Sequence, residues 1–259
     1  IVGQSIMSGT PFEAFAVQNG VDGTSVEGAS DSPYRIADFR VEVTNAQVGV
    51  PVLWWRSVGH THTAYAVETM IDEIATATGK DPIALRRDLL PEGARERAVL
   101  DLAAERAGWG QPLPAGRFRG VAVHQSFRTY VAMVVEITMR GADVKVERVV
   151  AAVDCGVAIN PDNIVAQIEG GIGFGLGSIL GEELTLTDGR VDQLNYDTYT
   201  PLRIDRMPPV EVYILPSTAS PTGVGEPGTP PIGPALANAV ASATGRRVRV
   251  LPFAKGLSA

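Results

Sequence analysis

Between residues 63 and 78 the apolar side chains Val67, Met70, Ile71, Ile74 and Ala75 recur at helical spacing, and Gly79 is placed to stop the helix. Asp81 as N-cap with Pro82 in the first turn opens a second helix through Leu90, and a third covers 94–107 before Gly108. The period then changes. Residues 121–126, 130–139 and 144–154 read as three strands of an antiparallel meander, the last two joined by a turn at 141–143. Asn160-Pro161 caps a long helix to about Leu180, whose Ile164, Val165, Ile168, Ile172, Leu176 and Ile179 fit the helical repeat. A strand-like stretch at 182–186 leads to the turn Asp188-Gly189, 210–215 reads as a further strand, and a final helix over 234–244 ends at Gly245. Residues 1–50 are rich in Gly, Ser, Thr, Asp and Pro and read as loops with short strands such as 40–44. Helix runs and strand runs are segregated, which makes the fold class α+β rather than a regular βαβ alternation.

Two segments depart from ordinary element chemistry. Inside the long helix, Gly170, Gly171, Gly173, Gly175 and Gly177 each cost about 1 kcal/mol against alanine, so something must approach closely there, either another helix or a cofactor. The turn at 222–234 isolates one carboxylate, Glu226, among uncharged residues. Pro227 biases Glu226 away from helical backbone, while Gly223, Gly225 and Gly228 let the main chain approach a bulky ligand. Such a segment either turns the chain before a helix or aims a base.

At 259 residues, 45% hydrophobic and 20% charged, the chain can bury a substantial core as one large domain or two smaller ones. A net charge of −7 with scattered Lys and Arg argues against nucleic acid as a partner. No apolar run is long enough for a direct membrane span, since even 121–153 is interrupted by His124, Arg128, Glu136 and Arg140. Cys155 is the single cysteine, which excludes an internal disulfide and a self-contained iron–sulfur cluster, so any redox relay belongs to another chain. The chain begins at Ile1 without a targeting signal and reads as trimmed from something longer, which leaves the bacterial cytoplasm and the periplasm both open.

The nucleotide, hydrolase, thiol and zinc signatures G-x-x-x-x-G-K-[ST], G-x-S-x-G, C-x-x-C and H-E-x-x-H do not occur. Gly171-x-Gly173-x-Gly175 lies inside a helix rather than at a strand-to-helix turn, so it makes no dinucleotide fingerprint. His60-Thr61-His62, read as extended, puts both imidazoles on one face, but a metal would need carboxylates from elsewhere, and hydrogen bonding in a loop is the preferred reading. In Trp54-Trp55-Arg56 the guanidinium either offers forked donors to an anion or oxo group or stacks on tryptophan as a structural element.

Four ordered motifs decide among these alternatives: GQSIMSGTPFE at 3–13, WWRSVGHTHTAYAVE at 54–68, VDCGVAINPDNIVAQIEGGIGFGLG at 153–177 and GVGEPGTPPIGPALANAV at 223–240. Over nearly its whole length the chain resembles the C-terminal part of the molybdenum-binding subunit of the xanthine dehydrogenase and aldehyde oxidase family, in particular the isoquinoline 1-oxidoreductase beta-subunit branch. The resemblance implies a molybdenum-cofactor-binding α+β fold that is incomplete without a partner chain. It divides the chain into a helix-rich part at 1–115 and an α+β part at 116–259 that carries the glutamate loop.

The resemblance also implies roles. Glu226 matches the active-site base, Gln167 a glutamine beside the pterin, and Arg56 an arginine near metal and substrate. Trp55 and Val58 would wall the substrate pocket, with Val58 standing where many relatives have an aromatic residue. Gly170 and Gly171 on the glycine-rich helix, with Gly223, Val224 and Gly225 before the base, would lie against the molybdopterin or its nucleotide tail. The molybdenum itself is held by the pterin, with no protein ligand.

By the same resemblance the activity is oxidation of an aldehyde or an aromatic N-heterocycle with water as oxygen source. The cofactor is the cytosine dinucleotide form, and electrons leave to [2Fe-2S] clusters in a small separate subunit. The family's Gly-Gly-Gly-Phe-Gly and Gly-Gln-Gly segments are absent, so the chain corresponds to about the last third of a subunit and needs a larger chain to complete its site. The alternative is a catalytically silent structural or assembly module that keeps the fold without the cofactor.

Overall fold

The computed structural model describes residues 2–47 and 49–258. Ahead of His60 the described residues form only short elements, namely α1 (Pro11–Ala16), the two-residue strands β1 (Val17–Gln18) and β2 (Val21–Asp22), and 3-10 turns. The stretch 40–44, expected as a strand, is irregular. Its side chains are mostly exposed, so no buried face exists to hold a pairing register.

Regular structure begins with α2 (His60–Thr78), three residues ahead of its apolar repeat, because His60, Thr61 and His62 are polar and hide its first turn from the periodicity. Gly79 closes it in the left-handed conformation at φ 67°, donating to the Ala75 and Thr76 carbonyls. The Asp81 carboxylate accepts the Ile83 and Ala84 amides, both at 2.9 Å, to cap α3 (Pro82–Leu89), and α4 (Arg95–Arg106) follows. The meander is β3 (Arg117–Ser126), β4 (Thr129–Arg140) and β5 (Asp143–Asp154), antiparallel as the pattern predicts, with a bulge between Glu136 and Ile137.

Asn160 accepts the Asn163 amide at 3.0 Å and starts α5 (Pro161–Leu180). After it, only β6 (Leu186–Thr187) and β7 (Arg190–Val191) pair, around Asp188-Gly189. Residues 182–185 form no strand, because Glu182 turns its carboxylate to the Tyr199 hydroxyl (2.7 Å) and the Leu202 amide (3.1 Å). Then come β8 (Val210–Ile214), α6 (Ile232–Thr244) and α7 (Phe253–Gly256). β8 joins β5 in parallel, with α5 in the crossover, giving the sheet order β3-β4-β5-β8. Among the described residues no helix is long and apolar enough to cross a membrane.

Both faces of this sheet are buried, which is why its strands read as near-continuous apolar runs. Val131, Met133 and Val135 of β4 pack with Val149 and Ala151 of β5 against Ile168, Ile172 and Leu176 of α5 and Leu236 and Val240 of α6. The alternate residues Ala132, Val134, Val150 and Ala152 pack against Ile71, Ile83 and Leu100 of α2, α3 and α4. Helix α6 is buried from Ile232 to Ala241 and lies so close to β3 that a Cβ at Gly120 would stand 2.2 Å from the Ala239 amide nitrogen.

A buried ionic network ties these layers together. Glu68 of α2 accepts Arg86 Nε and the Val123 amide, each at 2.9 Å, and the Tyr34 hydroxyl. Arg86 donates further to the Glu68 carbonyl (3.0 Å) and the Pro82 carbonyl (3.1 Å), and Asn238 of α6 donates to the Val121 carbonyl at 3.0 Å. Burial raises the Tyr34 hydroxyl well above its ordinary range, and the Glu68 charge adds to that. Removing one partner of such a pair strands the other charge in the interior. Glu68→Ala is therefore expected to destabilise the protein by about 3–5 kcal/mol in urea unfolding; a loss below about 1 kcal/mol would show that the network does not hold the layers.

Candidate active site

The site lies where three segments meet: the turn before α2, the exposed face of α5, and the loop after β8. That loop is carried from the sheet by backbone bonds, with Leu215 donating to the Val153 carbonyl (2.8 Å), Val157 to Ala219 (3.0 Å) and Thr222 to Cys155 (2.9 Å). Thr129, fully buried, adds a bond from its hydroxyl to the Gly223 carbonyl at 2.7 Å. Asp154 at the end of β5 is gripped by both arms of Arg95 at 2.6 Å. Burial pushes its carboxyl up, but the Arg95 bond and the Gly156 amide outweigh that and hold it below the usual carboxylate range.

The turn before α2 is unusual backbone. Ser57 (φ 73°) and Val58 (φ 53°) are both left-handed, a conformation that is strained for a β-branched residue. The Ser57 amide donates to Glu226 Oε1 at 2.9 Å and its hydroxyl to the Glu226 carbonyl at 2.8 Å, so a residue with no exposed surface holds both ends of Glu226. Sequence reasoning missed Ser57; a positive φ in a serine–valine pair has no local composition signal.

Arg56 points across this turn. Its Nε donates to the Gly225 carbonyl at 2.9 Å, Nη2 donates to the same oxygen, and Nη2 reaches Gln167 Oε1 at 3.5 Å. Its guanidinium also stands 5.5 Å from the centre of the Phe174 ring, on which Trp55 stacks at 4.6 Å. Arg56, Gln167, Gly225 and Glu226, singled out separately in the sequence, are thus brought to one place. Trp55 stacks on Phe174 and forms part of the wall of a cavity of about 280 Å³ with Tyr65, Ile179 and Leu251. Val58 sits half-buried in the turn, its amide on the Trp55 carbonyl at 2.8 Å.

The glycines of α5 differ in what surrounds them, and at Gly173 a Cβ would meet only the Met207 side chain, at 3.3 Å. A Cβ at Gly171 would meet Gly228 at 3.0 Å, one at Gly175 would meet Ile232 at 2.4 Å, and one at Gly177 would meet the Glu182 carboxylate. These three are glycine because the chain itself packs there. Gly170, one turn from Gln167 on the same face, is exposed and has nothing within 4 Å of such a Cβ, and the same holds for Gly223. The amides of Gly223, Val224 and Gly225 donate to no described residue. Beside them lie the Arg56 guanidinium and the Gln167 amide, so the donor set suits a ligand rich in carbonyl or phosphate oxygens, as a molybdopterin is, and two glycines leave its backbone approach open.

The histidines take other places. His60 and His62 lie on the first turn of α2 rather than in an extended loop, so they do not share a face. His62 bonds the Ser25 carbonyl at 2.8 Å, while His60 is buried against His124. Among the described residues no group of three or more His, Cys, Asp or Glu side chains is arranged to hold a metal.

Two family models, both described as molybdopterin cofactor-binding domains, match the chain at residues 18–90 and 101–208. The chain belongs to the molybdopterin-binding subunits of the xanthine dehydrogenase family. It is 32% identical to a membrane-bound aldehyde dehydrogenase [pyrroloquinoline-quinone] of Gluconacetobacter polyoxogenes, over 95% of this chain and 34% of that protein. It is 31% identical to isoquinoline 1-oxidoreductase subunit beta of Brevundimonas diminuta, over 87% and 29%. The chain therefore spans about a third of the curated relatives it matches. Its fold resembles quinoline 2-oxidoreductase from Pseudomonas putida (TM-score 0.65, 14% identity, 76% of this chain and 51% of that one). It also resembles the aldehyde oxidoreductase from Desulfovibrio desulfuricans (TM-score 0.65, 15% identity, 80% and 41%). The α+β class expected from the sequence agrees with both.

The division of the glycines gives opposite expectations for two alanines. Gly228→Ala, whose Cβ would lie 2.9 Å from the Ile168 carbonyl oxygen, should destabilise by about 1–3 kcal/mol, and Gly170→Ala should stabilise by roughly 0.5–1 kcal/mol. Denaturant midpoints of the two variants check this; equal shifts would mean that both glycines answer to internal packing.

Proposed function

We propose that this chain supplies the base side of a molybdenum hydroxylase site that oxidises an aldehyde or an aromatic N-heterocycle with water as the oxygen source. The observation that carries the reading is the clamp on Glu226: Ser57 fixes one carboxylate oxygen, and Arg56 ties the adjoining Gly225 carbonyl toward Gln167. A carboxylate held in that way is aimed, and Pro227 disfavours helical backbone at Glu226.

Gln167, Gly170, Gly223, Val224 and Gly225 would hold the molybdopterin, in its cytosine dinucleotide form; Gly171, expected beside it from the sequence, is buried against Gly228 and takes no part. When bound, that group supplies the two-electron oxidation chemistry and carries the metal. The part left to this chain is acid–base and orienting. Glu226 takes up the proton released as the oxygen nucleophile forms, Arg56 orients the oxygen-rich face of the bound molecules, and Trp55 and Val58 shape the approach of an apolar substrate. The helix-rich part at 1–115 contributes Arg56 and Ser57, and the part at 116–259 contributes Glu226 and Gln167, so neither half makes the site alone. Cys155 is the single cysteine of this span, so [2Fe-2S] clusters that accept the electrons would lie outside it, in a separate small subunit, while a larger chain would complete the pterin site.

Glu226→Gln in the assembled enzyme tests the reading. Its molybdenum and pterin content should match the parent protein while kcat falls at least about a hundredfold. Full activity in that variant, or an intact complex devoid of molybdenum, would leave only a structural role for the chain.

A further inference from the structure

Between α5 and β8 the chain makes an arm, residues 182–205, whose polarity is turned inside out. β6 and β7 pair with each other and join no other described strand. The polar side chains of the arm bond to one another. Thr185 donates from its amide to Gln193 Oε1 (2.8 Å) and from its hydroxyl to Asp192 (2.6 Å), and Gln193 Nε2 donates back to Thr185 Oγ1 (3.0 Å). The apolar side chains are left to solvent. Leu194, Tyr196 and Ile204 are 87%, 75% and 95% exposed, and Leu184, Leu186 and Val191 are exposed with them. Leu184, Leu194, Tyr196 and Tyr199 line a groove of about 320 Å³. Single apolar residues on a surface are ordinary, but a run of them on one internally bonded arm marks a face that something covers.

The arm is fixed at both ends to the helix of the candidate site. At its start the Glu182 amide donates to the Gly177 carbonyl of α5 at 2.9 Å, and the Glu182 carboxylate accepts from Tyr199 and Leu202 further along the arm. Just past its end, the Met207 side chain lies where a Cβ at Gly173 of α5 would meet it at 3.3 Å. Whatever covers the arm is therefore set in register with the helix that presents Gln167 and Gly170.

Charge narrows the kind of surface that fits. Residues 182–205 carry six carboxylates against two arginines. Glu182, Glu183 and Asp192 are bonded to Tyr199, Lys255 and Thr185, whereas Asp188, Asp197 and Asp205 are exposed and have no partner among the described residues. Pairing the arm with its own copy would set these acidic groups against each other, while a basic rim would complement them. The curated relatives, of which this chain covers 34% and 29%, contain ample further polypeptide to supply such a rim.

We propose that the arm at 182–205 is the docking surface for the larger chain that completes the pterin site, and that it receives an apolar ridge flanked by lysine or arginine. The proposal rests on the reading that a larger chain shares the cofactor. Docking on an arm rooted in α5 places that chain against the same helix as Gln167, so one contact both joins the chains and aligns the two sides of the site.

Three measurements on the natively assembled enzyme test the docking. Hydroxyl-radical labelling should leave Leu194, Tyr196 and Ile204 protected; labelling at the rate of freely exposed side chains overturns the proposal. Zero-length carbodiimide coupling should join Asp188, Asp197 or Asp205 to the larger chain where that chain presents lysine. Links to a second copy of the arm or only to the small iron–sulfur subunit, or an assembly that contains no larger chain, overturn it. Leu194→Asp combined with Ile204→Asp, at two positions that contribute nothing to the interior, should raise the dissociation constant for the larger chain at least about tenfold. Asp197→Lys should weaken association at low salt and lose most of that effect at high salt. Unchanged affinity in both variants overturns it. None of these readouts uses turnover, and failure of the hydroxylase reading is separately visible as activity retained in Glu226→Gln.

Discussion

The buried pair of Glu68 and Arg86 is the interaction on which the rest depends. An ion pair with no exposed surface survives only if its remaining donors and acceptors are met, and here the Val123 amide, the Tyr34 hydroxyl and two helix carbonyls meet them. Each of these partners lies on a different element, so the network fixes α2 against β3, α3 and the 30s loop in a single arrangement. Apolar packing alone would tolerate sliding along the sheet; directed bonds to one charge do not. Because α2 starts at His60, directly after the Arg56–Gly59 turn, fixing α2 fixes the turn, and the turn fixes Glu226.

Strain at the turn fits this hierarchy. Two successive left-handed residues, one β-branched, cost on the order of 1–3 kcal/mol each and persist only when their surroundings over-determine them. What over-determines them is visible on both sides. Ser57 has two bonds to Glu226, and a Cβ at Gly59 would stand 2.3 Å from the Thr24 carbonyl, so that position can accept only glycine. The conformation points the Ser57 and Gly59 amides at two different carboxylates, which an ordinary first helical turn, with its amides directed along one axis, would not do.

Legibility in the sequence followed the range of the forces. α3 and α5 were readable almost to the residue because Asp81, Pro82, Asn160 and Pro161 act on amides within three positions, and Gly79 and Gly245 stop α2 and α6 by their own backbone freedom. The stretch 40–44 misled because no buried face holds it in register, and 182–185 because Glu182 turns its carboxylate to Tyr199 and Leu202, while Leu186 does enter β6. The parallel attachment of β8 to β5 was not legible, since it depends on a partner more than fifty residues away. Glu226 stood out through its Gly and Pro neighbours. Ser57 did not, because its two bonds to Glu226 join positions 169 residues apart that only the fold brings together.

The glycines of α5 show why position matters more than count. A helix so rich in glycine invites one explanation for all of them, whether a cofactor or a helix partner. The fold separates them: Gly171, Gly175 and Gly177 are occupied by Gly228, Ile232 and Glu182 of the same chain, and that close approach is what brings the loop carrying Glu226 down onto α5 beside Gln167. Gly170 has no such neighbour, and its missing side chain does nothing for the interior. Gly170 lies one turn from Gln167, which Arg56 reaches, so under the proposed reading its missing side chain leaves room for the cofactor. The helix thus packs the loop that carries Glu226 through Gly171 and Gly175, meets the flexible Met207 side chain at Gly173, and leaves Gly170 uncovered.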